Sequence, residues 1–274
     1  MPTDEQERQE KFLATLLALA LSAERAVALR IRPDFMASMR QVRRLVQRMA
    51  ADGEFRQYEW RQLRRQVPDI LAPAVAAMAV ELLPELKDLA GPVQVFGQDY
   101  VDKEPGPTVE PTDQEILATT LVAGVPLVKL LGPRGSMSQS LANFLDRVVS
   151  VGLLRGDTTA EIADNVLQLK LVDGKLTPKI KKGSFASKAS CQIKNTVASG
   201  VWSAVNNNLF TAWRDVENVR WVWNAVLDER LCPICSPLNG KIVPKPTSFV
   251  STVYGINQPP VHPNCRCAIL PLRT

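Results

Sequence analysis

"SFASKASCQIKNTVASGVWSAVNNNLFTAW", residues 184–213, decides the architecture. Phe185, Ala189, Ile193, Val197, Val201, Val205, Leu209 and Trp213 recur at every fourth position, a spacing that predicts one helix of about thirty residues. A four-residue step overshoots the 3.6-residue turn by about 40°. The apolar row therefore spirals round the helix instead of forming one flat stripe. A helix built this way is either deeply embedded or meets different neighbours along its length. Gly200 in its middle costs roughly 1 kcal/mol relative to alanine, which points to a close approach at that position.

Beyond this helix the texture changes. "VRWVWNAVL", from residue 219, alternates and is rich in valine and tryptophan, which predicts a strand. Proline, glycine and short apolar runs follow to the end, so residues 219–274 read as a small β-rich module. Upstream, residues 114–218 read as helical. "SMSQSLANFLDRVVSVGLL" has Gly156 just past its end, and Thr158 with Glu161 has capping-box spacing for the next helix. "VDGK", residues 172–175, reads as a tight turn.

Residues 1–90 also read as helices. Leu13, Leu16, Leu17, Ala20 and Leu21 have amphipathic spacing. Phe35, Met39, Val42, Leu45, Val46 and Met49 can share one face, with Arg40, Arg43, Arg44 and Arg48 off it. Pro68, Pro73 and Pro84 are expected to break the helix after residue 67. Residues 91–113, rich in proline and glycine, read as a linker. The expected fold is mainly α: a helical body with one long helix and a small C-terminal β-rich zinc-binding module.

The charge is distributed in blocks. Residues 25–65 hold eleven arginines, no lysine and four acids, while residues 81–115 hold nine acids against Lys87 and Lys103. Residues 170–194 carry seven lysines against Asp173. Such blocks favour a protein working between charged surfaces, nucleic acid among them, although solvated helix faces produce them too. The apolar run at residues 12–21 is about half the length of a bilayer span, and the acidic stretch before it is unlike a signal peptide. A reducing cytosol is therefore expected, where clustered cysteines favour metal over disulfides.

Cys232-Pro-Ile-Cys235 has the two-residue gap that lets two thiolates reach one tetrahedral metal from a tight turn. Further on, "PPVHPNCRC" supplies His262, the only histidine, with Cys265 and Cys267. Five ligands are thus on offer for four positions. Cys232, Cys235, Cys265 and Cys267 form the first set, with His262 the alternative fourth ligand or a neighbour of the site. Structural Zn2+ is the expected cofactor, since its binding energy would make a module with few core side chains rigid. Reduced core thiols or two disulfides are the plainer readings. Cys191, alone on the long helix, reads as a buried small hydrophobe. No catalytic site is expected: Asn264 stands where a zinc deaminase needs its glutamate, and a serine or cysteine nucleophile would find no free histidine as base.

Together these residues resemble the phage head-morphogenesis, or Mu F-like minor head protein, family. The resemblance rests on Trp223, Asp228, Arg230, Cys232, Cys235 and Gly240, then Pro259, Pro260, His262, Pro263, Cys265, Arg266 and Cys267. It covers roughly residues 115–271. The family often has a Thr-Glu pair in the long helix, whereas here Val197 follows Thr196, so that glutamate's role does not carry over. The resemblance implies a virion protein inside the head of a tailed phage, assembled in the host cytoplasm and oligomeric within the particle. Its implied partners are the portal, other head proteins and packaged DNA, with no membrane, and its implied role is head assembly, packaging or delivery. The other reading is a free zinc-ribbon nucleic-acid-binding protein, which would need Trp221 and Trp223 as exposed stacking platforms.

Overall fold

The computed structural model describes residues 4–49, 57–101, 111–122, 125–132, 135–167, 169–172, 175–180, 182–226, 233–245, 258–262 and 265–273. The protein is mainly helical, with small sheets. It divides into two compact units, each built from separated segments. One comprises Met1–Val27, Leu82–Val128 and Asn195–Thr274; the other comprises Ala28–Glu81 and Lys129–Lys194.

The second unit contains helix α2 (Arg32–Met49), most of α3 (Gln57–Asp88), α7 (Ser136–Arg155) and α8 (Thr159–Val166). α2 buries Phe35, Met36, Met39, Val42, Leu45 and Val46 and packs on α8, where Arg43 bonds Asp164 at 2.7 Å. α8 starts with the expected box: the Thr158 hydroxyl accepts from the Glu161 N–H, and the Glu161 carboxylate accepts from the Thr158 N–H at 2.7 Å. α7 stops at Gly156, whose φ of 75° is the left-handed conformation that glycine adopts freely. A hairpin of β3 (Leu169–Val172) and β4 (Lys175–Ile180) flanks the expected turn, whose residues 173 and 174 lie outside the described set.

The three prolines do not break α3, which runs for 32 residues through Pro68, Pro73 and Pro84. Each proline removes one N–H, at a cost of roughly 3 kcal/mol. The row Leu63, Val67, Leu71, Val75, Met78, Leu82 and Leu86 is buried along the same helix, and that burial outweighs the loss. Nor do the first residues of the expected linker behave as one. Ala90–Val101 form helix α4. Pro92 sits in its first turn, where a missing N–H costs nothing. Gly97 is required by packing, because a Cβ there would lie 2.3 Å from the Trp213 ring. Residues 102–110 fall outside the described set.

In the first unit, α1 (Asp4–Arg30) buries Phe12, Leu16, Ala20 and Ala23, and Phe12 stacks on Tyr100 of α4 at 4.9 Å. The apolar stretch continues well past residue 21. Glu7–Arg30 and Tyr58–Val101 are both long and apolar enough to cross a membrane, a test that core helices and signal sequences also pass. α5 (Asp113–Thr119) carries a second capping box, Thr112 with Glu115. A short hairpin, β1 (Leu121–Val122) with β2 (Val125–Pro126), leads into α6 (Leu127–Leu131).

α9 (Phe185–Trp213) is the predicted long helix, and all eight residues of its spiral row are buried. The embedded alternative holds. A Cβ on Gly200 would meet Leu82 at 3.3 Å, so the glycine does mark a close approach. α9 also buries polar groups that tether other segments. The Ser203 hydroxyl accepts from the Leu121 N–H at 2.8 Å, and the Asn207 amide donates to the Thr119 carbonyl at 3.1 Å.

A three-stranded antiparallel sheet closes the chain, in the order β6 (Ile242–Val243), β5 (Val219–Asn224), β7 (Ala268–Arg273). Trp221, Val222 and Trp223 of the central strand are all buried. Trp223 exchanges hydrogen bonds with Gly240 and Lys241, so its N–H and C=O point away from β7. Its β7 partner Ile269 must then direct its own N–H to the outer edge. There the Asn206 side chain receives it at 2.9 Å. Pro271, two residues on, shares that orientation and has no N–H to offer. The outer edge of β7 thus has one donor capped by Asn206 and the next removed by proline.

Candidate metal centre

Two turns bring the candidate ligands together. Cys235 sits where β5 returns toward β6, just before the 3-10 turn Ser236–Leu238, and its carbonyl accepts from the Leu238 N–H at 3.0 Å. Asn239 then accepts from the Ala225 N–H at 2.9 Å, and Gly240, at φ 75°, turns the chain into β6. The second turn is closed by the Cys265 N–H bonding the His262 carbonyl at 3.1 Å. Cys265 and Cys267 precede β7, and so the sheet register holds the two turns face to face.

The sulfurs of Cys235, Cys265 and Cys267 all lie within 4.8 Å of one another, and all three residues are buried. Cys235 and Cys265 sulfurs are 3.8 Å apart, and His262 Nε2 is 3.2 Å from the Cys235 sulfur. A tetrahedral zinc with Zn–S bonds of about 2.3 Å separates two of its sulfurs by about 3.8 Å. The donor set and its spacing therefore fit such an ion. Of the five residues named from sequence, four converge here: Cys235, His262, Cys265 and Cys267. Cys232 lies outside the described residues. The three clustered cysteines and Cys191 are in the reduced, thiol form.

The thiols do not share charge evenly. Hydrogen bonds from Cys235 and Cys267 hold the Cys265 thiol far below its usual range. The Cys235 thiol is pushed far up, first by its hydrogen bond to Cys265 and then by Cys267 and burial. At Cys267 the Cys235 hydrogen bond pulls down, but Cys265 and burial outweigh it and the thiol is raised. Three sulfurs sharing hydrogen bonds in a buried site favour ionising one of them over ionising all three. A bound dication would supply the charge that lets all three ionise, so binding releases protons.

Asn206 was not singled out from the sequence. It is fully buried on α9 and its amide spans Ala268: it donates to the Cys267 carbonyl at 3.1 Å and accepts from the Ile269 N–H. A polar residue inside the apolar spiral, in "AVNNNLF", is the only signal the sequence carries for it. Cys191 departs from expectation: it is exposed. It stands two residues from buried Ile193, off the spiral row. Trp221 and Trp223 are 1% and 0% exposed, so they are core and offer no face for base stacking.

These observations define a class: a mainly helical protein whose C-terminal sheet carries a buried cysteine cluster fit for a metal. The comparison adds one finding: residues 143–270 match the family described as phage Mu protein F-like, which supports a likeness to phage head-morphogenesis proteins. The matched segment takes in most of α7, all of α9, the cysteine cluster and most of the sheet, and leaves α1–α6 outside. Neither a curated protein nor a solved structure matches the chain.

Proposed function

We propose that the protein is a minor head component of a tailed phage, bound to the portal and acting in head assembly and in packaging or delivery of DNA. It takes its place in the virion after assembly in the host cytoplasm, in more than one copy and with no catalytic role. The observation that carries this reading is the coincidence of the family match with the embedded helix and the cysteine cluster. In this reading Zn2+ is structural, held by Cys235, Cys265, Cys267 and a fourth ligand, Cys232 or His262. Such an ion locks the two turns that begin and end outside regular structure, which apolar burial alone does not fix.

The buried tryptophans count against the free nucleic-acid-binding module, since neither Trp221 nor Trp223 is exposed as a stacking platform. The test is mass spectrometry of gradient-purified particles and of portal-containing subassemblies, with zinc measured on the purified protein. The expected result is the protein in both fractions and one zinc per chain. Absence from particles would overturn the head reading, and a metal-free protein with an unchanged melting profile would overturn the zinc reading.

A further inference from the structure

Eight arginines between residues 30 and 65 fall into two groups. Arg30, Arg43 and Arg64 face Glu81, Asp164 and Asp146 at 3.0, 2.7 and 3.2 Å. These three are part of the unit's own packing. Arg40, Arg44, Arg48, Arg61 and Arg65 are exposed and have no acidic partner among the described residues. Two of this second group, Arg44 and Arg48, line an open groove of about 670 Å³ together with Gln41, Gln47 and Ile70.

We infer that this groove is a docking site for the phosphodiester backbone of nucleic acid. Along α2 the exposed Arg40, Arg44 and Arg48 stand four residues apart, a rise of about 6 Å per step, comparable to the separation of successive phosphates along a strand. Each guanidinium presents a planar fork that matches phosphate oxygens bidentately. Gln41 and Gln47 add neutral donors beside them. A protein partner would call for a different lining. Interface cores are poor in charge, whereas this groove carries the exposed guanidiniums of Arg44 and Arg48. Contacts of this kind go to the backbone and not to base edges, so the site takes duplex without regard to sequence.

The inference rests on the head-protein reading only in naming the phage genome as the polyanion at hand. Its test uses the full chain and a fluorescent 30-bp duplex of mixed sequence, titrated by anisotropy between about 50 and 200 mM salt. The wild type is expected to bind with a strong salt dependence. The double variant R44A/R48A is expected to weaken binding about tenfold or more at the lower salt. It should also flatten the plot of log affinity against log salt by about 1.8, since each lost phosphate contact removes about 0.9. R44K/R48K keeps the charge and should keep the slope, which guards against a folding defect. R214A removes an exposed arginine paired with Asp215 and should change neither quantity. No binding by the wild type, or the same slope in R44A/R48A, overturns the inference. So does equal competition by polyglutamate, which would mark the groove as a protein site. A protein found in particles but blind to duplex sinks this inference alone; one that binds duplex but is missing from particles sinks the head reading alone.

Discussion

The C-terminal sheet and the α2–α8 pair hold their segments in place by opposite means. The sheet depends on a few directional contacts: three sulfurs within 4.8 Å, one buried amide bridging Cys267 and Ile269, and two tight turns. The helix pair depends on rows of apolar side chains, no single one indispensable, with one ion pair at the rim. The first arrangement concentrates stability in single atoms and the second spreads it. Substitutions should therefore act all-or-none in the sheet and by degrees among the helices.

The widest gap is expected at the metal centre. With the proposed zinc bound, Cys265→Ser or a strong chelator should remove it and with it most of a binding free energy that in zinc-finger peptides is about 10 kcal/mol or more. The near-ultraviolet signal of Trp221 and Trp223 should collapse at low temperature while the helical far-ultraviolet signal largely survives. Simultaneous loss of both signals would show that the two regions do not differ in the way described here.

Asn206→Ala comes next. It strands a buried N–H at Ile269 and a buried carbonyl at Cys267, each costing about 1–3 kcal/mol. A loss of about 2–5 kcal/mol is expected from denaturant unfolding, together with weaker zinc retention against a chromophoric chelator. Wild-type zinc affinity in this variant would mean that the amide closes the sheet edge without positioning Cys267.

The spread-out packing has one stiff point. Gly97→Ala would put a Cβ 2.3 Å from the Trp213 ring, and overpacking of this kind costs about 1–3 kcal/mol. Gly91→Ala, in the same helix with nothing within 4 Å, should be neutral or stabilising by about 0.5 kcal/mol. Equal effects in the two variants would argue against close packing of α4 on Trp213.

This contrast also governs what the sequence could disclose. Spacing alone reveals the embedded helix, the Trp223 strand and the meeting of Cys235 with His262, Cys265 and Cys267, because a turn with fixed ligand gaps admits few geometries. The helical region misleads at Pro68, Pro73, Pro84 and Pro92, where a local rule met burial that no local pattern displays. Gly97 looks like linker until Trp213, more than a hundred residues away, is seen against it. Asn206 is equally silent, since its partners lie 61 and 63 residues ahead. The arginines could be counted but not sorted, because only the fold brings Asp146 and Asp164 to Arg64 and Arg43.

The smallest effect concerns two matched caps with the same Thr-x-x-Glu spacing, Thr112 with Glu115 and Thr158 with Glu161. Thr158→Ala should cost about 1 kcal/mol, as lost N-caps do. The carboxylates add a pH dependence whose sign is fixed. Backbone and hydroxyl hydrogen bonds from Thr112 and Thr158 hold Glu115 and Glu161 below the ordinary value of 4.5 in the folded protein. Their contribution is thus fully present above the unfolded pKa and fades as pH falls through the lower folded one. Glu115→Gln with Glu161→Gln keeps an acceptor at each cap but cannot titrate. This double variant should melt within a degree or two of wild type near pH 7 and lose less melting temperature between about pH 5 and pH 3. Parallel melting curves across that range would assign the acid sensitivity to other carboxylates and leave the caps as purely geometric devices.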